Sequence, residues 1–75
     1  MRQDLPVLKP KEVIAALQQA GFVLKRHTGS HAIMFRADVR RPVSVPTHPG
    51  DLPTGTLRAI IRQANLKVAE FLQLL

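Results

Sequence analysis

No cysteine occurs among the 75 residues, which rules out disulfides and thiolate metal sites. Tryptophan and tyrosine are also missing, and phenylalanine occurs only three times. Flat aromatic surfaces for stacking unpaired bases are therefore scarce. Uninterrupted apolar stretches run only a few residues, far short of the roughly 20 needed to cross a bilayer. The opening Met1-Arg2-Gln3-Asp4-Leu5-Pro6 contains no apolar signal-peptide core, and the expected location is the cytoplasm. Acidic residues number five against eleven Lys and Arg, a net charge of +6. On so small a surface this deficit of negative charge points to a polyanionic partner, nucleic acid foremost, or to an acidic protein. Excess base that merely keeps the chain in solution is the plainer alternative. Arginine outnumbers lysine seven to four, and Arg36, Arg40 and Arg41 fall close together. The planar guanidinium fork suits phosphate better than an ammonium does, which favours the nucleic-acid reading.

What is present fits one small packed domain spanning 1–75, with 45% hydrophobic residues and no repeat or linker that would divide it. Residues 1–9 read as a loose lead-in. Pro10 suits a first helical turn, with Leu8 placed to staple back onto the helix. Val13, Ile14, Leu17 and Ala20 recur at helical spacing and Gly21 is a natural stop, so a helix is expected over 10–20. Strands are expected at Phe22–Arg26, at 31–36 and at Val43–Val45, separated by turns at His27–Ser30 and Ala37–Arg40. A breaker-rich loop, Thr47–Pro53, leads to the cleanest amphipathic pattern in the chain, Leu57, Ile60, Ile61 and Ala64. Asn65 can close that helix in the left-handed conformation, and Val68, Phe71, Leu72 and Leu75 mark a short last one. The expected fold is α+β with order α-β-β-β-α-α, a three-stranded antiparallel sheet covered by helices on one face. Double-stranded-RNA-binding domains share this order.

The segment richest in chemistry is Thr28-Gly29-Ser30-His31, a turn that runs directly into the apolar Ala32-Ile33-Met34-Phe35. A histidine at the start of a strand has a defined position, and imidazole exchanges protons near neutral pH. Cleaving RNA without a metal requires activating a 2′-hydroxyl, offsetting phosphate charge and protonating the leaving 5′-oxygen. Imidazole serves the proton transfers. Lys25 and Arg26, placed across the hairpin from His31, would offset phosphate charge, as would Arg36 at the far end of the strand. Two arrangements satisfy the strand alternation. If the row His31, Ile33, Phe35 faces the helices, His31 emerges at a partly dry rim; if Ala32, Met34 and Arg36 face inward, it lies on the open sheet face. Without further information, a strand-end histidine bonded to a neighbouring backbone group is the commoner case.

Gly21-Phe22, Gly29-Ser30-His31, Val45-Pro46 followed by His48, and Gly55-Thr56-Leu57 through Ile60 to Gln63-Ala64 occur here in a combination that resembles the HicA family of bacterial toxins. The resemblance covers residues 9–75, so that 10–75 form the toxin-like domain. It implies a double-stranded-RNA-binding-like fold, cleavage of messenger RNA as an mRNA interferase, and neutralisation by an antitoxin of the HicB type. It also maps the family's catalytic histidine onto His31. Many relatives carry a second histidine directly after it, where this chain has Ala32.

The remaining candidates carry weaker expectations. His48 precedes the amphipathic helix and serves either as a second proton-transfer group or simply to fix its loop. Ser30 can bond substrate, although a turn serine more often bonds its own backbone. His27 reads as solvated. Three scattered histidines lack zinc-ligand spacing, and neither a serine triad nor a P-loop is present, so no metal or other cofactor is expected. Two other functions compete with the ribonuclease. A passive RNA-binding module of the same fold would grip a duplex with basic residues at the start of the penultimate helix, yet Asp51–Thr56 holds no lysine. A pure interaction protein would use the basic surface only to bind an acidic partner.

Overall fold

The structure, a computed structural model, describes residues 5–75. Pro10 opens α1 (Pro10–Gln19), where its missing N–H costs nothing. Leu8 and Val13, one on each side of the helix start, are both buried in the core, as the staple requires. The Lys9 N–H donates to Glu12 Oε1 at 2.9 Å, satisfying one of the free groups at the helix entry. The helix stops at Gly21, whose φ of +95° is left-handed.

The end of the lead-in is tied down rather than loose. The Leu8 carbonyl accepts a hydrogen bond from Leu52 N–H at 2.8 Å, and Lys9 pairs with Asp51 at 3.2 Å. A buried leucine outweighs the freedom that the local composition suggests. Residues 1–4 of that lead-in lie outside the described part.

Strands β1 (Val23–His27), β2 (His31–Phe35) and β3 (Val43–Pro46) form an antiparallel sheet in the order β1-β2-β3. Each lies within one residue of its expected position, with Phe22 instead buried just before β1. The long amphipathic helix is α2 (Thr54–Gln63), and α3 (Val68–Leu72) follows. Asn65 has φ +60°, as expected of a helix-closing residue.

The alternation of β2 and β3 settles which face is covered. Ala32, Met34, Val43 and Val45 have no exposed surface and join Val13 and Leu17 of α1, Leu57, Ile60 and Ile61 of α2, and Phe71 of α3 in one core. The helices therefore cover the even-numbered row of β2, and the row His31, Ile33, Phe35 faces outward. Of the two arrangements the sequence allows, the open-face one holds.

Arg36 locks the end of α1 to the sheet. Its guanidinium donates to the Ala20 carbonyl and to both carboxylate oxygens of Asp38, at 2.6 and 3.1 Å, and lies 5.0 Å from the centre of the Phe22 ring. The hydrogen bond from Arg36 holds the Asp38 carboxyl below its ordinary value of 3.8. A depressed folded-state pKa stabilises the fold only while the carboxylate is ionised. Asp38→Asn should therefore lower the melting temperature at neutral pH, and its gap to the parent should close as pH falls below about 4, the range of an unfolded Asp; melting curves from pH 7 to pH 2.5 check this. A Cβ at Gly21 would meet Arg36 Cδ at 3.4 Å in a left-handed conformation. Gly21→Ala should cost about 1–2 kcal/mol of stability, measured by urea unfolding.

Candidate functional site

The turn before β2 is built around its histidine. Thr28 Oγ1 accepts the His31 N–H at 3.0 Å and donates to the His31 carbonyl at 3.1 Å, and the Thr28 N–H reaches the same carbonyl at 2.8 Å. Three contacts from one threonine fix both backbone groups of His31. Ser30 Oγ lies 3.0 Å from His31 Nδ1, so the hydroxyl orients the ring while the imidazole itself stays exposed. Among the described residues, His31 Nε2 has no protein partner. Ser30 thus bonds a side chain as well as shaping the turn.

The basic residues reach this face by a device the alternation does not reveal. Leu24 pairs with Met34 and Arg26 pairs with Ile33, leaving Lys25 as an extra residue in a β-bulge. In a regular strand Arg26 would share the inward side with Leu24. The bulge reverses the phase, and Arg26 joins Ile33 on the open face, diagonal to His31. Lys25 Nζ sits 4.9 Å above the centre of the Phe35 ring, on the same face. The residue across the hairpin from His31 is therefore Thr28. The tight turn sets this pairing, so neither Lys25 nor Arg26, farther along β1, lies directly opposite His31.

On the other side His31 pairs with Pro46 of β3, and Thr47 N–H donates to the Ser30 carbonyl at 2.9 Å. This draws His48 to the same end of the sheet. His48 Nδ1 lies 3.1 Å from the Pro49 carbonyl, and its ring borders a 220 Å³ recess shared with Lys9, Pro10, Lys11 and Thr47. His27 is exposed at the end of β1, paired with Ala32. Arg36 stands apart from the other candidates, its guanidinium committed to Asp38 and Ala20.

The resulting surface joins an orientable imidazole, two cations and an apolar strip. Val23 (63% exposed) pairs with Phe35, and Ile33 with Ser44, extending the row away from His31. Reading the sequence for titratable groups missed these apolar members and Thr28. The alternation of Ile33 and Phe35 with His31 carried the signal for two of them. No three His, Asp or Glu side chains come together among the described residues, and no helix there is long and apolar enough to cross a membrane.

A family model described as the HicA toxin of bacterial toxin–antitoxin systems matches residues 10–66 of the 75. The matched span takes in α1, the whole sheet and α2. No curated protein matches the chain.

If Thr28 is what fixes His31, the near-isosteric Thr28→Val should leave the helices intact and loosen only this turn. The expected cost is about 0.5–1.5 kcal/mol for each of the two lost hydrogen bonds, read as faster amide hydrogen exchange at His31 with unchanged exchange in α2.

Proposed function

Because this chain belongs to the HicA toxin family, we propose that it is an endoribonuclease, an mRNA interferase that acts on messenger RNA in the cytoplasm with His31 as its essential catalytic group. The observation that carries this reading is the exposed imidazole at the end of the open sheet face, oriented by Ser30 at 3.0 Å and accompanied on that face by Arg26 and Lys25. An ionisable ring fixed by its backbone and open to a polymer is what proton transfer to or from a ribose requires.

In the proposed reaction, neutral His31 accepts the proton of a ribose 2′-hydroxyl. The 2′-oxygen bonds to the adjacent phosphorus and the bond from phosphorus to the 5′-oxygen breaks. The 5′-oxygen leaves with a proton, and the other fragment ends in a 2′,3′-cyclic phosphate. Arg26 and Lys25 offset the charge that grows on the phosphate oxygens, and Ser30 keeps the ring in the orientation that presents Nε2. His48, held at the same end of the sheet, is the candidate donor of the leaving group's proton. These steps rely on side chains alone and call for no metal.

The partner proposed for the toxin is an antitoxin of the HicB type. An acidic protein laid over the open face would cover His31, neutralise Lys25 and Arg26, and bury Val23 and Phe35. Blocking substrate and satisfying an exposed apolar strip are then the same event.

A passive RNA-binding module of this fold would bind the same polymer without cutting it. His31→Ala separates the two. A positioned general acid or base contributes roughly 10²–10⁴-fold, so the variant should lose at least that much cleavage of a labelled transcript while keeping its melting temperature. The parent should cut equally well in excess EDTA and leave cyclic-phosphate ends by mass spectrometry. An inert parent, or a variant as active as the parent, would contradict the proposal.

A further inference from the structure

Most of the arginine in this protein is not near His31. Arg40 and Arg41, from the loop between β2 and β3, and Arg62, near the end of α2, line a 360 Å³ pocket together with Gln63 and Asn65. Arg62 also borders a second recess with Arg58, one helical turn earlier, so four of the seven arginines form one continuous stripe. The four side chains are exposed, and no carboxylate of the described residues forms an ion pair with them. The pocket's one acidic neighbour, Asp38, is engaged by Arg36. The carbonyl end of α2 contributes roughly half a negative charge nearby, which three guanidinium groups outweigh.

Like charges gathered around a cavity with no internal partner repel each other, and a bound anion relieves that repulsion. Guanidinium forks from the β2–β3 loop and from α2, together with the amides of Gln63 and Asn65, supply the directed donors that phosphate oxygens accept. The pocket lies beyond the Phe35 end of β2, beside α2 on the covered side of the sheet, whereas His31 stands on the open face at the other end of a strand about 13 Å long. One nucleotide cannot occupy both places.

We propose that this arginine pocket is a second RNA-backbone site, which grips phosphates several nucleotides away from the bond presented to His31. The identity of the polyanion rests on the ribonuclease reading above; the pocket itself does not involve His31. The site holds the strand through its backbone and is indifferent to base sequence. A long transcript is then bound more tightly than a short oligonucleotide that reaches only the His31 end.

The test measures binding of a single-stranded RNA of about 20 nucleotides across a salt series, in a His31→Ala background that prevents cutting. Arg41→Gln/Arg62→Gln, one arginine from the loop and one from α2, should make the slope of log K against log salt shallower by about 1.4, at roughly 0.7 per phosphate contact on a single strand. Ala15→Glu/Lys67→Gln lowers the net charge by the same two units at residues that line neither the arginine pocket nor the His48 recess, and should change the slope by less than half as much. Both pairs are exposed, and melting curves confirm the fold. An unchanged slope in the arginine pair, or an equal fall in both pairs, overturns the proposal. So does loss of poly-glutamate binding with RNA binding intact, which would make the pocket a docking place for an acidic protein. If His31→Ala still cuts RNA while the arginine pair loses its slope, the catalytic reading fails and the pocket stands.

Discussion

One row of side chains decides what this protein can present to a polymer. Ala32 and Met34 of β2, with Val43 and Val45 of β3, are the side of the sheet that the helices seal from water. Strand side chains alternate between faces, so burying those residues forces His31, Ile33 and Phe35 outward. A slip of one residue would bury an imidazole and expose a methionine. The core is thus the reason the histidine is accessible, and the stability of a chain this small depends on keeping that register.

Around this constraint the local devices each add one thing. Thr28 fixes the backbone of His31, Ser30 fixes its ring, and the bulge at Lys25 brings Arg26 onto the open face. Arg36 takes the opposite part. Its charge is spent on Asp38 and on the end of α1, so it acts as a structural clamp although its neighbours in sequence, Arg40 and Arg41, remain free of described ion pairs. Charge in this protein is therefore divided among three tasks: a few cations near the histidine, one half-buried arginine clamping α1 to the sheet, and a stripe at the far end of the sheet. Net charge alone does not distinguish these.

The elements themselves were legible because their signals are local. Pro10, Gly21 and Asn65 mark helix ends through backbone preferences that hold in any context, and the spacing of Leu57, Ile60, Ile61 and Ala64 identifies α2 directly. The matched family span likewise agrees with the resemblance carried by the glycines and His31. Three features were not legible. The covered face of β2 depends on helix packing, since both of its rows contain apolar residues. The bulge changes a phase that strict alternation assumes constant, so the face that Arg26 takes does not follow from that of Leu24. The pocket formed by Arg40, Arg41 and Arg62 joins residues some 20 positions apart and exists only once α2 has docked. Leu8 illustrates the same limit, because a loose-looking lead-in is pinned by a distant backbone partner, Leu52.

The central claim is that RNA meets the open face at His31. Imidazole NMR of the wild-type protein with a short RNA carrying a single 2′-deoxy position, which cannot be cut there, tests it most directly. The account predicts that the His31 ring resonances shift on binding while those of His27, on the other row of β1, stay in place. Saturable binding with the His31 ring unmoved would contradict it.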